Sequence, residues 1–142
     1  MSKELVNALN EDIALELGAI TQYMWHHIMA TGLESPEIKI KFREISIQEM
    51  IHAERFAERI SYLGGTPTIE PAAIKMGGDL KSMIKDDLKG ERHAIKKYKE
   101  DLKLAKAEAD VGTAKMLEEI IIEEEAHDDE WSGILGVKGM YE

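Results

Sequence analysis

Cysteine is absent from the 142 residues. That excludes disulfides, thiolate metal sites, iron–sulfur clusters and cysteine nucleophiles together. Proline occurs only at Pro36, Pro67 and Pro71, and aromatic residues make up 6% of the chain. Both scarcities argue against a strand-rich sandwich and for long helices. Long apolar runs are missing as well: nothing approaches the roughly 18 consecutive apolar residues of a membrane span, and Met1-Ser2-Lys3-Glu4 carries no apolar signal core. The expectation is a cytoplasmic protein with no membrane partner. Basic residues are outnumbered, 18 Lys and Arg against 28 Asp and Glu, for a net charge of −10. Such a field repels phosphate backbones and draws cations. No basic tail or aromatic–basic patch offsets it, so nucleic acid is not an expected partner.

What remains is a chain of helical periodicity long enough for one domain, residues 1–142. Leu5, Leu9, Ile13, Ile20 and Tyr23 form a first amphipathic series, which stops near Thr31-Gly32. Ser35-Pro36 reads as an N-cap and first-turn proline for a second series, Ile38, Phe42, Ile45, Phe56, Ile60 and Leu63, closed by Gly64-Gly65. A third runs Leu80, Ile84, Leu88, Ile95, Tyr98 and Leu102. A fourth, entered through Asp110-Val111-Gly112-Thr113, holds Leu117, Ile120, Trp131 and Ile134 and is expected to fray among Gly133, Gly136 and Gly139. Two short connections make two antiparallel hairpins. The middle connection, from Gly64 to about Gly78, could reach about 50 Å when extended. That is enough to cross the whole bundle and set the third helix parallel to the second.

Each stripe is interrupted by residues foreign to a core. The second reads Phe42, Ile45, Glu49, His52, Phe56, and the fourth reads Leu117, Ile120, Glu124, His127, Trp131. Glu16 interrupts the first and Glu91 the third. The interval from 16 to 49 equals that from 91 to 124, and the whole set repeats at an offset of 75 (16 to 91, 49 to 124, 52 to 127). Leu5/Leu80, Asp12/Asp87, Ile20/Ile95, Tyr23/Tyr98, Ile45/Ile120 and Phe56/Trp131 share that offset, as a duplicated helical hairpin would. A Glu and a His three residues apart lie on one helix face. One Glu from each of two helices plus Glu-x-x-His from each of the other two is a di-iron carboxylate constellation. Glu16, Glu49, His52, Glu91, Glu124 and His127 are thus the candidate ligands, and their oxygen-rich set suits iron or manganese. Taken singly, any one of these glutamates reads as an exposed residue; the joint pattern does not.

The chain resembles the bacterioferritin branch of the ferritin-like superfamily. The likeness rests on Glu16-Leu17-x-Ala19-Ile20-x-Gln22-Tyr23-x-x-His26, Glu49-Met50-x-His52-Ala53-x-Arg55 and Asp87-Leu88-x-x-Glu91. It implies an all-α, ferritin-like four-helix bundle with a long crossover between helices two and three, here without the family's fifth helix. By the same resemblance Glu16 and His52 hold one iron, Glu91 and His127 the other, and Glu49 and Glu124 bridge. The implied activity is ferroxidase, oxidising Fe2+ with O2 or H2O2 for iron storage and detoxification. The implied assembly is a homo-oligomer, a dimer at least. Met50 stands where the family's axial haem ligand stands, which implies haem b at a dimer interface; a methionine simply packed at that interface is the other reading. Departures are Glu44 and Gln48 where some members feed iron inward from a His and an Asp, and Phe56 in place of a tyrosine. An alternative activity is a peroxide-scavenging, rubrerythrin-like reductase, although Ala94 replaces the extra glutamate of those relatives. A purely structural bundle is a third reading.

Three further residues carry expectations. Tyr23, two turns after Glu16, is the candidate catalytic residue, as electron or hydrogen-bond donor; a core tyrosine paired with Tyr98 is the plainer reading. Asp12 and Asp87 are expected to orient His127 and His52 from behind. His26 and His27 carry no signal beyond a surface or interface position.

Overall fold

Side-chain caps start three of the four helices in the computed structural model, which describes residues 2–140. Ser2 accepts from the Leu5 amide at the head of α1 (Lys3–Met29), Asp79 from Ser82 at α3 (Leu80–Ala107), and Asp110 from Thr113 at α4 (Val111–Leu135). The second helix, α2 (Ser35–Tyr62), starts differently. Glu34 is already helical (φ −92°, ψ −4°), so Ser35 lies inside the first turn and its hydroxyl donates back to the Gly32 carbonyl at 2.8 Å. Ser35 is therefore not the expected cap, while Pro36 does occupy the first turn, where its missing N–H costs nothing. The fourth helix also departs from expectation. It continues past Trp131 and ends on Gly136 in the left-handed region (φ 73°), with the Val137 amide donating to the Ser132 carbonyl at 2.8 Å.

Contacts between helices fix the topology. Along α1, contacts at residues 12, 16, 23 and 26 meet α3 at 97, 98, 91 and 87, so the two helices run antiparallel. Ser46 bonds the Ile20 carbonyl and His27 the Lys39 carbonyl, which makes α1 and α2 antiparallel too. Helices α2 and α3 are consequently parallel, as the long middle connection requires. That connection climbs beside α1: Asn10 bonds Thr66 and Thr68, the Ala14 carbonyl accepts from Ala72, and Gln22 accepts from Lys75. The fold is an all-α four-helix bundle with a crossover, and beyond Leu135 the described residues form turns. No helix among the described residues is long and apolar enough to cross a membrane.

The apolar stripes make two clusters rather than one. The first gathers Leu5, Leu9, Ile13, Phe56, Ile60, Tyr98, Leu117 and Ile120, and the second Tyr23, Phe42, Ile45, Ile84, Leu88 and Trp131. Each fully buried large side chain contributes about 1.5–3 kcal/mol. On every helix the polar residue of the stripe falls between its contributions to the two clusters. The offset of 75 maps Leu9, Ile13 and Phe56 of one cluster onto Ile84, Leu88 and Trp131 of the other. The pseudo-two-fold axis thus passes through the polar layer, and its two sides are built alike.

The crossover lies so close to α1 that a Cβ at Gly18 would stand 3.0 Å from the Ala72 carbonyl oxygen and 3.2 Å from Ile74. Gly18→Leu is therefore expected to destabilise the fold by about 1–3 kcal/mol through overpacking. Gly90→Ala, where a Cβ meets nothing within 4 Å, should be neutral or stabilising by up to about 1 kcal/mol. Urea unfolding of both variants checks the pair.

Candidate metal centre

The four interrupting carboxylates and both histidines meet in the middle of the bundle, and all six are at most 4% exposed. They form two overlapping groups, Glu16–Glu49–His52–Glu124 and Glu49–Glu91–Glu124–His127, in each of which one ligand atom per residue lies within 4.8 Å of the others. Glu49 and Glu124 belong to both groups, whereas Glu16/His52 and Glu91/His127 are the two ends. The His52 Nδ1 lies 3.1 Å from Glu124, 3.4 Å from Glu49 and 3.6 Å from Glu16. The His127 Nδ1 lies 3.4 Å from Glu91 and 3.5 Å from both Glu49 and Glu124. Glu16 Oε2, Glu49 Oε1, Glu91 Oε2, both Glu124 oxygens and both Nδ1 atoms are buried without a hydrogen-bond partner. Orphaned donor atoms of this kind are rare in folded proteins and fit cations held among them.

The outer nitrogens of the histidines are held by residues the sequence reading assigned elsewhere or passed over. His52 Nε2 pairs with Glu123 at 2.5 Å, and His127 Nε2 pairs with Gln48. Gln48 and Glu123 are themselves 75 apart, and each directly precedes a central glutamate on its helix. That repeat was the available signal. Nε2–H donation outward leaves Nδ1 free to face the cluster.

Asp12 and Asp87 do not orient the histidines. Asp87 accepts from Gln22 at 2.9 Å and pairs with His26 Nδ1 at 2.8 Å, while Asp12 accepts from Lys97 at 2.9 Å. Asp12 on α1 and Asp87 on α3 turn toward each other's helix, and the outer nitrogens of His52 and His127 are held by Glu123 and Gln48 instead. Lys97 also binds Asp101, and residues 97 and 101 stand 75 after 22 and 26. The two aspartate networks are therefore repeat-related too. His26 is fully buried within the bundle, contrary to the surface or interface position expected from sequence, because it follows Tyr23 by three on the inward stripe. His27 is held by the Lys39 carbonyl.

Tyr23 donates to Glu91 at 2.7 Å and accepts from Trp131 Nε1 at 2.8 Å. Its counterpart Tyr98 donates to Glu16. Both phenols thus hold end carboxylates, and burial raises both hydroxyl pKa values well above the usual phenol range. A cavity of about 270 Å³ lies between α1, α3 and the crossover and reaches Glu16, Glu49, Glu91 and Glu124. Gly18, Ala19, Gly90 and Ala94, small residues along its walls, leave that space.

Without cations the cluster holds protons. Burial, with the charge of Glu124 next, pushes Glu49 and Glu91 well above the ordinary carboxylate range and Glu16 up to about 7. Burial alone would lower the histidines, but the surrounding carboxylates, Glu124 foremost, raise His52 to about 11 and His127 to about 10. Glu124, between the two imidazoliums, is held low against the opposing effect of burial. Away from this cluster, burial and the neighbouring Asp101 push Asp12 up to about 9.

The ferritin-like domain family matches residues 6–139. The bacterioferritin of Desulfovibrio desulfuricans is 38% identical over 125 residues, covering 87% of this chain and 70% of that protein. A ferritin-like, di-iron-carboxylate protein of Bacillus anthracis superposes with a TM-score of 0.92 at 33% identity, over 95% of this chain and 99% of its own. The Rhodobacter capsulatus bacterioferritin, solved with a metal-free dinuclear site and haem iron in a crystallographic special position, gives 0.89 at 29% identity, over 94% and 84%.

Raised pKa values set the sign of the pH dependence. A group whose folded pKa lies above its unfolded value adds stability at low pH and loses it as pH rises through the folded value. For Glu16 that loss runs from 4.5 to about 7, and for His52 from 6.5 to about 11. The metal-free fold should weaken from pH 5.5 to 8.5 as this cluster discharges. Divalent cations must displace the same protons, so the melting-temperature gain from added Mn2+ should grow over that interval. Differential scanning calorimetry with and without Mn2+ measures both trends.

Proposed function

The chain belongs to the ferritin-like family, among its bacterioferritins, and on that premise we propose that it is a ferroxidase. In this reading it binds two iron ions in the bundle core and oxidises Fe2+ to Fe3+ with O2 or H2O2, for iron storage and detoxification. The observation that carries the reading is the set of orphaned oxygens and Nδ1 atoms converging from all four helices. Glu16 and His52 would hold one iron, Glu91 and His127 the other, with Glu49 and Glu124 shared. Two Fe2+ held there supply one electron each to the oxidant. The donor set also accepts Mn2+.

The residues around the ligands would do four things. Four carboxylates balance the charge of two divalent ions and favour the higher charge after oxidation. His52 donates to a carboxylate, Glu123, and His127 to an amide, Gln48. The first imidazole would thereby be the more basic ligand, and the two ends of the centre would bind iron unequally. Tyr23 and Tyr98 fix the end carboxylates, and Tyr23, tied to Trp131, is the candidate donor of a further electron. The cavity over α1 and α3 would admit a small oxidant. Its wall at position 94 is a buried alanine, so no fifth carboxylate enters there, which favours the ferroxidase over the peroxide-scavenging reductase.

Met50 is 48% exposed on α2, beside exposed Ile47 and Ile51, and points away from the carboxylates. In the proposed homo-oligomer, two copies meeting on this face would offer two thioethers to a haem b.

Glu49→Ala and Glu124→Ala are each expected to slow Fe2+ oxidation by roughly 100-fold while the bundle stays folded. Stopped-flow absorbance of ferric iron in air tests this, and wild-type rates in both variants would remove these residues from the centre. Met50→Leu should abolish the Soret band of protein reconstituted with haem and leave iron oxidation unchanged. A Soret band kept in that variant would exclude Met50 as the ligand.

A further inference from the structure

Half of the chain's cationic side chains sit on one helix. Nine of the 18 Lys and Arg lie on α3, in a protein of net charge −10. Lys81, Lys85, Lys89, Arg92, Lys96 and Lys99 follow one another at intervals of three and four, and all six line a groove of about 890 Å³ between α3 and the C-terminal part of α4 with the segment after it, where Asp128 is the one carboxylate in the lining among the described residues. Lys85, Lys89 and Lys96 are exposed and form no ion pair among the described residues. Arg92 pairs with Asp128 at 3.3 Å and donates to the Met140 carbonyl, and Lys99 lies 3.9 Å from Glu125, whereas like charges at the spacings of Lys85, Lys89 and Lys96 repel along a helix. The groove is not uniformly polar, since Leu88, Ile95, Leu135 and Val137 also line it.

We infer that this groove docks an acidic amphipathic helix of a partner protein, whose carboxylates meet the lysines while an apolar stripe covers the groove's apolar residues. Charge complementarity selects an anionic occupant, and the apolar lining selects against a bare inorganic anion. Nucleic acid is disfavoured because the groove offers no aromatic platform for a base. Between Lys81 and Lys99 the stripe spans about 27 Å, the length of five helical turns. Lys89 and His93 line both this groove and the cavity that reaches Glu91, so a docked helix would stand beside the mouth of that cavity. The docking itself depends on neither iron nor the proposed activity.

Fluorescence anisotropy on the intact protein tests it with a labelled peptide of about 18 residues, a helix of this kind carrying leucines at i, i+3, i+4 and i+7 between flanking glutamates. Saturable binding should weaken about tenfold or more in the Lys85→Glu, Lys89→Glu, Lys96→Glu triple variant, and by a smaller factor in the corresponding Gln variant. A peptide of the same composition, scrambled so that its leucines share no face, should bind several-fold more weakly. Undiminished binding by both triple variants would overturn the inference. So would equal binding of the scrambled peptide, or tighter binding of duplex DNA or polyphosphate.

Discussion

Four carboxylates and two imidazoles buried between two apolar clusters impose the constraint on which the rest of this structure depends. An unpaired charge in such a place costs several kcal/mol, and here the negative groups converge instead of pairing off one by one. The metal-free protein meets the cost with protons, on the histidines and on Glu49 and Glu91. Two divalent cations would meet it without them. The long crossover, the parallel α2 and α3 and the close seat of Ala72 on Gly18 all serve one geometric end, which is to bring one carboxylate from every helix to the same level.

The duplication explains why the site is double. Because the pseudo-two-fold axis runs through the polar layer, each element around one end recurs at the other: Tyr98 on Glu16 and Tyr23 on Glu91, Glu123 behind His52 and Gln48 behind His127. The halves have diverged in charge. Asp87 is held by Gln22 and His26, whereas Asp12 is held by Lys97, which also binds Asp101. The framework is symmetric, and the side chains that support it are not.

The bundle and the six candidate ligands were legible in the sequence because both follow from local rules. Helical periodicity locates each stripe, and the repeat of the Glu and His positions in register marks those six as facing inward. Which inward residues touch each other depends on how neighbouring helices are rotated, and periodicity says nothing of that. Asp12 and Asp87 shared the repeat yet turn between α1 and α3. His26 followed the stripe but read as a surface or interface residue. Gln48 and Glu123, exposed on their own helices, become partners only when α2 and α4 lie side by side. Net charge concealed the α3 groove in the same way, since an average of −10 leaves no trace of where the lysines gather.

The central claim is that six side chains from four helices make one centre for two metal ions. Crystals soaked in Fe2+ under anaerobic conditions, with diffraction recorded at the iron absorption edge, address it directly. The account predicts two anomalous peaks per chain, one on Glu16 and His52 and one on Glu91 and His127, with Glu49 and Glu124 between them. A single peak, or peaks only on surface carboxylates, would contradict it.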